Sequence, residues 1–376
     1  MAEEKRHLAV LVGNGLSIAF NPELGLGRIS EEVLARMASG TDGADEAVAD
    51  AMKRIADSYS PDGSADYSDF ENIVGAFGGH SSMLVDLSQL ADLVEPDDDD
   101  LRAAIERSAE FAMKVRDAGV SHVLEVIFEH ARAHVEEMTD MYALTNAIVD
   151  SFDGRVTFGN LNYDTLLLSA LLETCKPILA DMASGWETGS VTVGEVKFTV
   201  PALRKALSYP AGARVRLLHL HGSLTFWGSK KGHFKLDTNF LDAYRPWETV
   251  RRGATELRPD VVLANQKDKT GVVTQYPFSL AYKGFADSLA ESAHWLVIGY
   301  SFRDAAVNDL FAAELRANDE VPEMLVVTLG DRPTRAEVEA AIGWDVARGS
   351  TKGWLKFDRK GASGFQDRKS WEDFTG

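Results

Sequence analysis

Five short apolar runs, each stopped by glycine or polar residues, limit the folds open to this chain: His7 to Val12, Arg155 to Leu161, Arg214 to Leu220, His294 to Ile298 and Met324 to Leu329. Runs of this length with little polar alternation fit strands buried on both faces, as in a parallel sheet covered by helices. A further stretch, SVTVGEVKFTV, alternates about Gly194 and Glu195 and reads as a small hairpin at the sheet's edge or in an accessory lobe.

Between about Ile29 and Asp150 the pattern changes. Proline is scarce, Ala, Glu, Leu and Met dominate, and apolar residues recur at three- and four-residue intervals, which predicts a helical block. Ile127, Ala131, Val135 and Met138 form one stripe of a helix, with Glu129, Arg132, Glu136 and Glu137 largely off it, so the stripe belongs to a core or an interface. Ser58 to Tyr67 reads as a surface loop before a helix containing Asp69, Phe70 and Glu71. After Pro96, the carboxylates Asp97 to Asp100 suit a solvated helix start better than a metal site, because consecutive helical residues point in different directions. The expected architecture is α/β: a Rossmann-like, mostly parallel sheet formed by 1–28 and 151–376, with 29–150 inserted as a helical second lobe.

The bulk properties narrow the partners. With 376 residues, 45% of them hydrophobic, the chain has material for a large core. A formal net charge of −19 repels phosphate backbones and anionic lipid head groups, which speaks against direct nucleic-acid or membrane binding. The apolar run near the N-terminus is too short for a signal sequence or a membrane span, and later runs are no longer. Cys175 is the single cysteine, so no internal disulfide framework or multi-cysteine zinc ribbon can form, and a reducing cytoplasm is the expected location.

Four of the apolar runs end in residues that can carry chemistry, and parallel strands bring such ends to one edge of a sheet. Gly13-Asn14-Gly15-Leu16-Ser17 follows the first run, where glycines let backbone amides approach a pyrophosphate at a helix start. By itself this turn is a weak signal, and it lacks the third glycine of the dehydrogenase fingerprint. Asn160-Leu161-Asn162-Tyr163-Asp164 closes the second run with an amide and a carboxylate, residues that equally serve as a loop or helix cap. In Leu218-His219-Leu220-His221-Gly222-Ser223, alternation sends His219 and His221 to the same side of a strand end, where either could exchange a proton or serve as a buried structural histidine. The fourth, Gly299-Tyr300-Ser301-Phe302-Arg303-Asp304, ends in small and charged residues. The conjunction of the four carries the inference, since each has an ordinary structural reading alone.

The order G-N-G-L-S, N-Y-D, H-L-H-G-S and G-Y-S-F-R-D resembles the sirtuin-like family, in particular its bacterial antiphage-defence branch. The resemblance implies NAD as substrate. It places Gly13, Asn14, Gly15 and Ser17 at the cofactor phosphates, Asn162 and Asp164 beside the nicotinamide and its ribose, and His221 as the catalytic base. It further places Gly299, Ser301, Arg303 and Asp304 on the adenosine side. No metal is expected, because protein-deacetylating sirtuins carry a four-cysteine zinc module that one cysteine cannot build, and lysine deacetylation is correspondingly disfavoured. The implied activity is hydrolysis of NAD to nicotinamide and ADP-ribose. Homo-oligomers and, in some systems, a separately encoded partner such as a HerA-type ATPase belong to the same resemblance. Two other readings keep the same site: a non-catalytic NAD or ADP-ribose binding module, and an ADP-ribosyltransferase with a macromolecular acceptor.

Overall fold

The computed structural model describes residues 5–39, 46–59, 99–134, 138–263, 266–318 and 320–376. Of the loop read over Ser58 to Tyr67, only Ser58 and Tyr59 are described, as the end of a helix. The rest of it, Asp69, Phe70, Glu71, Pro96, Asp97 and Asp98, and Val135, Glu136 and Glu137 of the stripe lie outside the described residues.

Along the chain, β1 (Leu8–Val12) leads into α1 (Asn14–Phe20), and helices α2 (Leu26–Ser39), α3 (Glu46–Tyr59), α4 (Asp99–Ala133) and α5 (Thr139–Asp150) come next. After them lie β2 (Val156–Asn160), α6 (Leu166–Cys175), the two-residue β3 (Leu179–Ala180), β4 (Thr188–Val193), β5 (Val196–Pro201), β6 (Val215–His219), β7 (Gly222–Ser229) and β8 (Gly232–Lys235). The remainder runs α7 (Thr238–Tyr244), α8 (Pro246–Arg251), β9 (Arg258–Val261), α9 (Gln266–Val273), α10 (Phe278–Glu291), β10 (His294–Ile298), α11 (Ala305–Ala317), β11 (Glu323–Val327), α12 (Arg335–Ala341), β12 (Leu355–Asp358) and α13 (Lys369–Thr375).

Seven strands form one parallel sheet in the order β12-β11-β10-β1-β2-β6-β3. All five residues of β1 are buried, as are those of β2, because helices cover both faces of the sheet. Leu8, Val10 and Val12 pack into one apolar cluster and Ala9 and Leu11 into another, so the two faces of β1 anchor two separate cores. The first of these clusters also contains Val48, Met52, Val123 and Ile127, so the described helices of the 29–150 segment share a core with one face of the sheet.

A charged network ties the same helices to the segment after β8. Glu125 of α4, almost fully buried, pairs with Arg251 at 2.7 Å and Arg245 at 2.5 Å, and Arg245 also reaches Glu129 at 2.9 Å. Arg36 of α2 joins Glu129 at 2.5 Å. Removing one partner of a buried pair of this kind leaves an uncompensated charge and is strongly destabilising.

The hairpin expected at Gly194 and Glu195 forms as the antiparallel pair β4 and β5, separate from the main sheet. A three-stranded antiparallel sheet, β8-β7-β9, was not visible in the pattern of apolar runs. It starts at Gly222, directly after His221, and so bears on the site.

The parallel registers align the ends of the central strands. Val12 pairs with both Ile298 and Asn160, Asn160 with His219, and Ile298 with Val327. From β1 the sheet grows one way through β2 and β6 and the other way through β10, β11 and β12. A switch point of this kind opens a crevice at the carboxyl ends of the strands, which is where open α/β sheets hold their ligands.

Candidate active site

A cavity of about 520 Å³ occupies that crevice. The turns after β1, β2 and β10 and the turn after β6 all face it, and Leu24 and Leu26, just before the helical segment, with Ile29 and Ile127 within it, form an apolar wall. Of the residues singled out in the sequence, Gly13, Asn14, Gly15, Asn162, Asp164, His221, Gly299, Ser301, Arg303 and Asp304 all line it.

Ser17 and His219 do not line this cavity; Ser17 bonds directly to two residues that do, and His219 reaches one of them through Asn160. The Ser17 hydroxyl donates to Asp164 Oδ2 at 2.6 Å and accepts from Asn162 Nδ2 at 2.8 Å. Asn162 Nδ2 also donates to the Gly13 carbonyl at 3.1 Å. A carbonyl can only accept, so this contact fixes which end of the Asn162 amide is nitrogen. Both N–H groups are therefore committed, and the Asn162 carbonyl oxygen is the end with no partner among the described residues. Asp164 Oδ1 accepts from the amide of Leu166, the first residue of α6, at 3.0 Å. Burial pushes the Asp164 carboxyl up, against the opposing pull of the Ser17 hydroxyl and the Leu166 amide.

The glycines of the first turn have a packing function. The Gly13 amide donates to Ile298 O and the Gly15 amide to Gly299 O, both at 2.9 Å. A methyl group on Gly13 would sit 2.7 Å from the Gly299 oxygen, and one on Gly15 2.7 Å from the Gly299 Cα. The turns after β1 and β10 thus touch backbone to backbone, closer than any side chain permits.

His219 ends β6 and His221 lies beyond it in the turn to β7, so the two are separated by function. His219 is fully enclosed, its ring edge-on to Phe226 and its Nδ1 3.4 Å from Asn160 Nδ2. Asn160 Oδ1 in turn accepts from the Asn162 amide at 3.1 Å, so this chain of contacts braces the β2 turn. Burial pushes the His219 imidazole down to about 3. The native protein consequently keeps His219 neutral while the unfolded chain protonates it below about pH 6.5. Stability is complete above that pH and falls by up to about 1.4 kcal/mol per unit as the pH drops towards 3. Urea titrations at pH 7, 6, 5 and 4 are expected to show this loss, with a shallower dependence in His219→Gln; equal slopes would show that His219 does not contribute.

The next residues of the chain hold His221 in place. Gly222 has φ +81°, and a Cβ there would overlap Asp260 O, so only glycine permits the chain to turn as it does. The Val262 amide donates to His221 O at 2.8 Å. His221 Nε2 lies 3.2 Å from Asp304 Oδ2, within ion-pair distance. Lys269 Nζ donates to the same oxygen at 2.8 Å. Asp304 Oδ1 accepts from the Val307 amide at 3.2 Å, so the carboxylate that faces His221 also caps α11.

Asp304 therefore stands against the histidine, not only on the far side of the site where the resemblance put it. Burial alone would raise its carboxyl, but His221 and Lys269 hold it well below the usual carboxylate range. Burial pushes the His221 imidazole down, partly offset by Asp304, and Lys269 lowers it further. The outcome is a neutral imidazole beside an ionised carboxylate, the state in which a histidine can accept a proton.

Lys269 is the site residue the sequence reading missed. It sits on α9 within the polar stretch NQKDKTGVV, which carries no strand-end signal and no apolar periodicity. Ser301 and Arg303 lie at the mouth, exposed, and line both this cavity and a second one beyond it. Phe302 between them has φ +59°, a conformation costly for a bulky residue. It is secured by Asn308 Nδ2, which donates to Phe302 O at 3.0 Å while Asn308 Oδ1 accepts from the Tyr300 hydroxyl at 2.8 Å.

Fold and site together define a Rossmann-type α/β protein with its pocket at the switch point of the sheet. A family model described as SIR2-like domain matches residues 156–347, half of the chain, and the chain belongs to the SIR2-like family. The match contains Asn162, Asp164, His221, Lys269, Arg303 and Asp304, whereas the Gly13 turn precedes it. Family membership points to NAD-dependent chemistry in general. Among solved structures, the chain is similar to one from work on the mechanism and regulation of Sir2 enzymes, at 13% identity over 99% of this chain and 92% of that one, with a TM-score of 0.35. It is also similar to Sir2 in complex with the inhibitor EX-527, 2'-O-acetyl-ADP-ribose and a deacetylated p53 peptide, at 13% identity over 66% and 80% of the two chains, with a TM-score of 0.31. No curated protein matches the chain. No described helix is long and apolar enough to cross a membrane.

Proposed function

We propose that this chain hydrolyses NAD, breaking the bond between nicotinamide and ribose and passing ADP-ribose to water. The observation that carries the reading is the convergence of Asn162, Asp164 and a neutral His221 backed by Asp304 on one cavity, in a chain of the SIR2-like family. The residues fit such a substrate. The cavity has an apolar wall for a nicotinamide ring, an amide oxygen without a partner among the described residues, and a buried imidazole backed by a carboxylate.

As the bond to nicotinamide breaks, positive charge grows on the ribose, and preoriented dipoles aimed at that charge lower the barrier without reorganising. The Asn162 carbonyl oxygen, fixed by two hydrogen bonds from its own amide nitrogen, supplies such a dipole. Asp164, tied to Ser17, keeps the β1 and β2 turns in register around it. His221 accepts a proton from a ribose hydroxyl or from water, and Asp304 stabilises the imidazolium that results. Lys269 shares the Asp304 carboxylate and so limits that stabilisation at rest.

Lys269 thereby gains a pH signature. Removing the ammonium in Lys269→Met raises the His221 pKa, so the acid limb of the rate profile moves to higher pH. An unmoved acid limb would show that Lys269 does not act on His221.

Free ADP-ribose in equal amount to nicotinamide is the expected product pattern with labelled NAD. Label retained on protein or nucleic acid would favour an ADP-ribosyltransferase, and tight binding without turnover a regulatory module. A hydrolase of this kind depletes NAD in the cell that makes it, so its activity needs gating. The motif resemblance supports a role in bacterial antiphage defence, in the cytoplasm, with gating by homo-oligomerisation or by a partner such as a HerA-type ATPase. Turnover by dilute, isolated monomer equal to that of the assembled form would contradict gating by assembly.

A further inference from the structure

A second cavity, of about 1030 Å³, opens beyond the first and shares Gly15, Ile18, Gly299, Tyr300, Ser301 and Arg303 with it. If nicotinamide lies by Asn162 and His221, the adenosine half of a dinucleotide must extend past the Gly15 and Gly299 contact into this space.

The far cavity is lined by three cations, Arg303, Arg332 and Lys360, in a chain whose net charge is −19. Among the described residues its one carboxylate is Glu337, and both of that residue's oxygens are in use. Oε2 accepts from the Thr334 amide at 2.7 Å and the Thr334 hydroxyl at 3.0 Å, and Oε1 accepts from Arg332 at 2.9 Å. Thr334 and Glu337 form a capping box that begins α12, so Glu337 is bound into the helix start. Arg303 and Lys360 are exposed, and neither side chain makes a hydrogen bond or ion pair among the described residues, although the charge of Arg303 also acts on Glu337 from a distance.

Sites selective for NAD read the ribose 2′-hydroxyl with a free carboxylate, which also repels a phosphate there; sites that take NADP replace it with a cation. Among the described lining residues the first element is absent and the second is present more than once. We infer that the far cavity accepts a 2′-phosphate on the adenosine ribose, held by Arg303 and Lys360, so that the substrate class is NADP as well as NAD. This assignment rests on the NAD-cleaving reading of the first cavity. The contact is solvent-exposed, and its strength therefore declines as salt is added.

The test combines two measurements on the full chain. Nicotinamide release is followed with NAD and with NADP as substrates, and binding of 5′-ADP and 2′,5′-ADP is measured by calorimetry, which needs no turnover. The expected results are a kcat/KM for NADP at least equal to that for NAD, and about tenfold or tighter binding when ADP carries the 2′-phosphate, as one charge-assisted phosphate contact provides. In Arg303→Ala and Lys360→Ala both preferences fall. Cleavage of NAD but not NADP, with no gain from the 2′-phosphate, would overturn the inference and leave the hydrolase reading standing. Cleavage of neither dinucleotide, with the 2′-phosphate gain intact and lost in the variants, would overturn the hydrolase reading and leave the cation site standing.

Discussion

His221→Ala is expected to lower nicotinamide release by about a thousandfold, within the range that a positioned acid-base group contributes. The fold should survive the change. His221 packs against Asp304, and when the imidazole is gone Lys269, 2.8 Å from the same carboxylate, still compensates that charge. The variant should therefore unfold within a few degrees of the parent while turnover is lost. Asp304→Asn separates the two functions of the carboxylate. The amide keeps an oxygen to cap α11 but no longer offsets an imidazolium, so kcat falls and the His221 pKa drops further, taking the acid limb to lower pH. Full activity in His221→Ala would remove histidine from the mechanism, and a collapse of the fold would leave its chemical role to be read from Asp304→Asn.

Gly299→Ala is expected to cost about 4 kcal/mol or more, enough to make the protein insoluble or to lower its thermal midpoint by roughly ten degrees. Two effects add. Gly299 has φ +64°, which strains any L-residue, and a Cβ at this position would overlap the Leu16 nitrogen and lie 2.5 Å from the Gly15 carbonyl carbon. Those neighbours are backbone atoms of the turn that opens α1, and no rotamer change relieves the overlap. Gly27→Ala is the control. It lies in the first turn of α2, and a methyl group there would meet no described atom within 4 Å beyond its own helix backbone, so the change should be neutral or slightly stabilising. Equal melting points for Gly299→Ala and Gly27→Ala would mean that the β1 and β10 turns do not meet as described.

The main strands could be read from the sequence because burial on both faces leaves an unbroken apolar run, and His294 to Ile298 coincides with β10 residue for residue. β12 escaped notice for the opposite reason. Leu355–Asp358 is four residues long, carries Lys356 and Asp358, and lies at the outer edge of the sheet. β7 was missed although it is buried along most of its length, because Gly222 and Gly228 punctuate it like a loop. For the site, the turn residues were visible since each comes directly after an apolar run. The pairing of β1 with β2 on one side and β10 on the other was not, because long-range partners leave no local pattern.

The same limit explains Ser17 and Lys269. The resemblance put Ser17 with the phosphate-binding turn; its hydroxyl links Asn162 to Asp164, residues brought to it by the neighbouring strand. Lys269 becomes a site residue only because α9 carries it to Asp304. Asp304 itself was found as part of a strand-end motif, but only its approach to His221 reveals the pairing.

Nicotinamide release from NAD, followed by chromatography with the assembled protein beside Asn162→Ala and His221→Ala, decides the proposed activity. The expected result is nicotinamide and ADP-ribose in equal amounts from the parent and neither from the two variants. Undiminished release from either variant, or an assembled parent that binds NAD and leaves it intact, would contradict it.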